Sequence, residues 1–425
     1  VALPAEDAKV RLQRLLSRFV QTLASLDLPL CLFLDDCQWA DAATLEWLES
    51  VRHDLRSVVV VMAFRDNADS MNTTLSGFLA RLEEQDTGLL DLPLEPLGAS
   101  LIGDVLQKRL QLSSEEAEAL AVTIVEKTQG NPLYVSEYLR QCQLQGALRF
   151  DPVALAWRLD LQQLHHIPAS ENVVQLLAGR LTFLLREGQQ VLKTAACIGN
   201  QFGVGLLKQL LPDVAVEPLL ADAQADGWLV PRVAESKEYA FTHDRIQQAA
   251  YGLMDEQAAQ RVHLSIAQCL MESQPPEAHL MECVHHYNVA LSHIVDTQLL
   301  AQVGQLNLQA SEVAKKNGDF QLALKYVEQA MALLLPRETD PQRHAEILKE
   351  RAECEHLCGR KSAALSHYHQ ALDSSVDARQ RTRIYELLIK FYTDCNEFQQ
   401  AFDTGREALA HLGFRLPTGF HPLNF

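Results

Sequence analysis

The spacing of apolar and polar positions changes character along the chain. Residues 6 to 25 place Val10, Leu12, Leu15, Leu16, Phe19, Val20 and Leu23 at helical spacing, which predicts an amphipathic helix at the start. It leads into Leu30, Cys31, Leu32, Phe33 and Leu34, a run too continuously apolar for a strand with one wet face. Such a run suits a parallel sheet covered on both sides. A helix over 42 to 55 follows, then the β-branched run in "SVVVVMAFRDN", another helix, and "GLLDLPLEPL" as a third strand-like piece. Strand, helix, strand, helix, strand is the rhythm of a parallel α/β sheet.

From 98 to 145 the periodicity is helical throughout. Ser113 with Glu116 forms a capping box, Gly130 closes that helix at its C′ position, and Asn131 and Pro132 read as N-cap and N1 of the next helix. Local chemistry thus accounts for "GNP". Residues 171 to 226 give three or four short helices, and "WLVPRVAESKEYAFTH" gives two strands around a polar turn, the order of a winged-helix domain. The last third repeats: "NGDFQLALKYVEQAMAL", "CGRKSAALSHYHQALDS" and "CNEFQQAFDTGREALAH" align with Ala323, Ala364 and Ala401, and seven residues on with Ala330, Ala371 and Ala408. Small residues recurring where paired helices touch predict a tetratricopeptide-like solenoid, with a plain helical bundle as the alternative.

Composition narrows the classes. Of 425 residues, 48% are apolar and 22% charged, enough for several ordinary domains, and no window approaches the roughly 18 uninterrupted apolar residues of a membrane span. Nine scattered cysteines without a CxxC pair favour reduced, buried thiols and a cytoplasmic location. The net charge of -18 argues against a large nucleic-acid footprint, and residues 170 to 260 hold 7 Lys/Arg against 11 Asp/Glu, so the winged helix is expected to serve an internal role. The chain begins at Val1, which leads us to expect a fragment of something longer.

The candidate chemistry centres on "LFLDDCQWAD". Two carboxylates about 4 Å apart repel by roughly 4 kcal/mol at an effective dielectric near 20, a cost that a divalent cation reverses. Asp35 and Asp36 therefore point to a metal, whereas Asp41, before "AATLEWLESV", reads as a helix N-cap. In P-loop nucleotide hydrolases an acid ending one strand holds magnesium and a polar residue ending its neighbour senses the γ-phosphate. On that pattern Asp35 is the metal acid, Asp36 polarises the attacking water and Arg65 is the sensor.

Together, "LFLDDCQWAD", "AFRDN", "KTQGNPLYVSEYL", "AACIGNQF", "FTHDRIQQAAY" and, near the end, "LGFRLP" resemble the successive signatures of the AAA-type ATPase module of the STAND class, from about residue 8 to 416. That module occurs in large bacterial hybrid sensor histidine kinases and serine/threonine kinases. The resemblance implies an α/β P-loop-type nucleotide-binding core (1–97), a helical lid (98–168), a winged helix (169–258) and tetratricopeptide-like repeats (259–425). It implies Mg2+ and ATP or ADP as cofactors, Asp35 and Asp36 as Walker B acids, and Pro132 as the proline packing near the adenine. It also implies His243 as a histidine facing the ADP phosphate; the alternative is a wing-edge histidine bonded to its neighbours.

One departure is large. A phosphate cradle needs GxxxxGK[ST], yet none of the 19 glycines is followed by lysine, and "GASLIGD" at 98 to 104 lies in an amphipathic helical stretch. The core is therefore expected to be partial, to leave an apolar sheet face uncovered, and to be inactive alone. His165/His166, His285/His286 and Cys354/Cys358 lack a third ligand at metal-site spacing, and no GxSxG or HExxH occurs. The expected function is a regulatory nucleotide switch in a signalling kinase. Its partners would be other domains of the same polypeptide, a protein bound by the repeats, and further copies in a nucleotide-dependent oligomer, with no nucleic acid or membrane. A non-hydrolysing scaffold, or the sensor half of a transcriptional activator or nucleotide cyclase, are the alternatives.

Overall fold

The computed structural model describes residues 5–24, 29–51, 57–65, 73–84, 89–167, 173–232, 237–272 and 279–414. The chain divides into two compact units, Val1–Leu89 with Ser273–Phe425, and Leu90–Glu272. Helices dominate both.

The first unit begins with α1 (Ala5–Ala24), β1 (Leu30–Leu34), α2 (Ala42–Val51), β2 (Val58–Met62) and α3 (Thr73–Glu84). The strands β1 and β2 pair in parallel, Leu30 opposite Val58 through Leu34 opposite Met62, with α2 as the crossover. Asp41 caps that helix, its carboxylate accepting the Thr44 N–H at 2.7 Å, as its sequence position predicts. Leu34 and Met62 pack on a small core of Cys37, Leu45, Leu48, Leu75 and Phe78. The opposite face carries Cys31, Phe33, Val59 and Val61 and is exposed, Phe33 at 59% and Val59 at 58%. Coverage on both faces is thus not found among the described residues. The third strand expected in "GLLDLPLEPL" does not form. Residues 89–98 make no ladder, and Leu90, Leu92 and Leu94 are exposed. An apolar run becomes a parallel strand only beside a partner to share its hydrogen bonds, so periodicity alone misleads here.

The second unit runs α4 (Ala99–Leu110), α5 (Ser114–Thr128), α6 (Pro132–Leu144), β3 (Leu148–Asp151), β4 (Ala156–Leu159) and α7 (Leu161–His166). The Ser113 capping box forms as read, with Glu116 N–H donating to Ser113 Oγ at 3.2 Å and Ser113 N–H donating to the Glu116 carboxylate at 3.1 Å. Gly130 has φ +71°, and a Cβ there would meet the Leu97 carbonyl oxygen at 2.4 Å, so both conformation and space require glycine. "GASLIGD" is helix, with Gly98 as N-cap of α4.

The unit continues with α8 (Val173–Leu181), α9 (Arg186–Ile198), β5 (Gln201–Gly203), α10 (Val204–Leu210), α11 (Val216–Ala225), β6 (Leu229–Pro231), β7 (Glu238–Phe241), α12 (Asp244–Gly252) and α13 (Glu256–Glu272). Strands β6 and β7 are the two read from sequence; the turn residues 233–236 between them lie outside the described residues. The sequence reading missed β5, which completes an antiparallel sheet in the order β5-β7-β6. Val191, Leu192, Leu207, Leu220, Trp228 and Phe241 are among the residues of its core, and Leu133 and Tyr134 of α6 pack against it.

The first unit resumes with α14 (Leu280–Val289), α15 (Thr297–Lys316), α16 (Phe320–Leu334), α17 (Pro341–Leu357), α18 (Lys361–Ser374), α19 (Ala378–Asp394) and α20 (Phe398–His411). From α15 onward the helices pack as consecutive pairs, and Ala323, Ala330, Ala364 and Ala371 are wholly buried between them. Asp296, Asp340 and Asp377 cap α15, α17 and α19 with side-chain acceptors. Within each pair the turn passes through the left-handed region at the same repeat position, Gly318 at φ 80°, Gly359 at 75° and Asn396 at 60°. At Gly359 an added Cβ meets no atom within 4 Å, so substitution reads the backbone alone. Gly359→Ala is expected to cost about 1–2 kcal/mol in urea unfolding, and Gly359→Asn less than half as much, because Asn tolerates this conformation. Equal losses would point to contacts instead.

Candidate functional site

The carboxyl ends of β1 and β2 place the paired acids beside Arg65. Leu34 accepts the Ala63 N–H and Ala63 accepts the Cys37 N–H, both at 2.8 Å, so the chain after β1 is stitched to the chain after β2. That stitch forces a tight turn. Asp36 adopts φ 52°, ψ 41°, a left-handed conformation that Asp tolerates better than most residues. Its N–H is held by the Asp35 carboxylate at 2.9 Å, and Asp35 makes no other bond among the described residues and is exposed.

Gln38 organises the cluster. It is 2% exposed, its Nε2 donates to Asp36 Oδ1 at 2.6 Å, and its Oε1 accepts the Arg65 backbone N–H at 3.3 Å. The Arg65 guanidinium lies 3.9 Å from Asp36 Oδ1. Gln38 thus fixes the Asp36 carboxylate between two strands, and sequence reasoning passed it over. The available signal was a lone amide two residues after the paired acids. Burial pushes the neighbouring Cys37 thiol up, as do the charges of Asp35 and Asp36, so Cys37 is a neutral packing group. Asp66 and Asn67 lie outside the described residues.

Pro132 and His243 belong to the other unit. Pro132 is N1 of α6, and Asn131 Oδ1 caps the helix by accepting from Leu133 N–H at 3.0 Å and Tyr134 N–H at 3.3 Å. His243 caps α12, its Nδ1 accepting the Arg245 N–H at 3.1 Å, with Asp244 against the same edge of the ring. The imidazole side chain stays 42% exposed, so it keeps a face open beyond its capping duty.

Among the described residues no group of three or more His, Cys, Asp or Glu is placed to hold a metal, and no helix is long and apolar enough to cross a membrane. His165 and His166 close α7, and their side chains lie outside the described residues. Cys358 donates to the Phe320 carbonyl and Cys354 contacts Ser311, each a packing role.

No family model matches the chain. Over 340 residues it is 22% identical to "Hybrid signal transduction histidine kinase G" of Dictyostelium discoideum, covering 66% of this chain and 10% of that protein. The chain therefore spans about a tenth of the length of the curated relative it matches. Among solved structures, a Signal Transduction ATPase with Numerous Domains (STAND) protein with a tetratricopeptide repeat sensor from Pyrococcus horikoshii aligns with TM-score 0.45 and 12% identity, covering 94% of this chain and 64% of that one.

Proposed function

We propose that the chain is a nucleotide-responsive regulatory module of a multidomain signal-transduction kinase. In this reading residues 1–97 belong to an ATPase core, 98–168 to a lid, 169–258 to a winged helix and 259–425 to tetratricopeptide-like repeats that bind a protein partner. The observation that carries it is the convergence of Asp35, Asp36 and Arg65 at the carboxyl ends of two adjacent parallel strands, the place where open α/β sheets bind ligands. The similarity to a hybrid signal transduction histidine kinase supports the signalling context. A cytoplasmic module acting on other domains of its own polypeptide, with nucleotide-dependent oligomers, follows from the same reading.

The residues fit a magnesium nucleotide in part. Mg2+ is commonly held by one or two carboxylates, water and phosphate oxygens, and the exposed Asp35 carboxylate suits that duty. The bound ion would supply charge neutralisation at the phosphates. Asp36, aimed by Gln38, would orient the attacking water, and Arg65 would read the terminal phosphate. Pro132 and His243 would contact the adenine and the phosphate of ADP, and exchange of the nucleotide would switch the output of the module.

In protein expressed from the complete open reading frame, Asp36→Asn is expected to lower Mg2+-dependent ATP turnover about 100-fold while nucleotide affinity changes little. Gln38→Ala is expected to act in the same direction by about tenfold, as a positioning residue. Unchanged turnover in Asp36→Asn would remove that residue from the mechanism. The present chain, which carries no GxxxxGK[ST], is expected to show only background turnover. The same missing cradle favours a second reading, an interaction scaffold without hydrolysis; output that is equal with and without nucleotide would select it.

A further inference from the structure

We propose that the cleft between α9 and α13 binds a small amphiphilic anion, with an apolar body and a phosphate or carboxylate head. The inference is independent of the nucleotide reading. The cleft has a volume of about 630 Å3, within the roughly 300–1,000 Å3 of small-molecule sites. Three cations line it, Arg186 and Lys193 on one face of α9 and Arg261 on α13. None of the three forms an ion pair among the described residues, although residues 170 to 261 hold 8 Lys/Arg against 11 Asp/Glu. Elsewhere in the unit Lys208 is paired with Glu217, and Arg180 with Glu137.

The acid in the lining, Asp255, is already engaged, accepting the Ala258 N–H at 2.6 Å at the start of α13. Arg186 sits in the first turn of α9 beside Glu187, where Leu185 supplies no side-chain cap. Leu210, Leu211, Met254 and Val262 also line the cleft, apolar surface that a bare inorganic anion would leave unused.

Size selects the class of ligand. A helix about 10 Å across occupies roughly 420 Å3 per turn, so the cleft holds fewer than two turns, too short for anchors at i, i+3 and i+7. A single chain of eight or so carbons with an ionised head matches both the cationic and the apolar lining.

The test is calorimetric titration of the whole chain with octyl phosphate below its micelle concentration, with inorganic phosphate and octanol as separate probes. Octyl phosphate is expected to bind one saturable site at least about tenfold more tightly than either fragment, and less tightly as salt rises. Lys193→Gln with Arg261→Gln is expected to weaken it at least about tenfold while the helical circular dichroism spectrum is retained. If that variant fails to fold, Ala258→Phe, which fills the cleft, is expected to abolish the same signal. No saturable binding of octyl phosphate, equal binding of octanol or inorganic phosphate, or full binding in the folded variants would overturn the proposal. So would binding of an acidic octapeptide in place of octyl phosphate, which would make the cleft a protein-docking site.

Discussion

Replacing Lys315 with methionine is expected to lower the stability of the helical repeats by about 3–5 kcal/mol, because it strands the buried Glu350 carboxylate and the half-buried Glu353 beside it. Lys315 on α15 pairs with Glu350 and Glu353 on α17, the latter at 2.8 Å, and its side chain is 11% exposed. The triad ties the first helices of successive pairs together. Burial alone would lower the Lys315 pKa, but attraction to Glu350 and then Glu353 overbalances it and raises it. Burial raises the Glu350 carboxyl and Lys315 only partly offsets this, whereas at Glu353 burial also pushes upward but Lys315, Lys349 and Lys390 together overbalance it and hold the carboxyl low. The signs follow. A raised lysine contributes stability fully present below its unfolded value near 10.4 and lost as pH climbs toward its folded value. The lowered Glu353 contributes above about pH 4.3 and loses that contribution in acid, while the raised Glu350 opposes it there. Denaturant unfolding across pH should therefore show an alkaline decline above about pH 10.4 that Lys315→Met lacks. Replacing all three residues by apolar ones of similar size should recover most of the loss; failure to recover it would show that the pairs stabilise outright.

Arg180→Ala is expected to cost a similar 3–5 kcal/mol in the second unit. The Arg180 guanidinium on α8 is buried against Glu137 of α6 and lies 4.2 Å from the Trp228 ring centroid. It joins the helical segment before α7 to the sheet-bearing segment after it, alongside Arg140, whose guanidinium donates to the Asp226 carbonyl at 2.8 Å. Removing the arginine leaves the buried Glu137 carboxyl group without its partner. Arg180→Lys keeps charge but loses the planar fork and the stacking on Trp228, for an expected loss of about 1–2 kcal/mol. Urea unfolding followed by tryptophan fluorescence would check both, and a loss below about 1 kcal/mol in Arg180→Ala would show that water reaches Glu137.

Local chemistry was the most legible part of the sequence. Ser113 with Glu116, Gly130 and Asn131 with Pro132 each satisfy orphan backbone groups through neighbours a few residues away, so the residues carry the answer themselves. The repeat register was legible because a pair of alanines seven residues apart recurs in each repeat, and the first of each pair is buried. Leu90, Leu92 and Leu94 show where such reading stops: a strand is a property of two segments, and the run finds no ladder partner among the described residues. Strand β5 was missed because three residues, Gln201–Gly203, are too few to show a period, and they are held by pairing to β7 some 37 residues later. Gln38 was hidden because its role depends on Arg65 across the strand gap, a contact that spacing does not reveal. The buried ion pairs of Lys315 and Arg180 are equally long-range.

The nucleotide switch is tested most directly by equilibrium titration of the protein from its complete open reading frame with fluorescent ATP and ADP, with and without Mg2+, in the native sequence and in Asp35→Asn. The expected result is saturable binding that Mg2+ strengthens for ATP, with that Mg2+ effect reduced at least about tenfold in Asp35→Asn. Absence of saturable nucleotide binding, or the same Mg2+ dependence in both proteins, would contradict the assignment of the β1 acids to a nucleotide site.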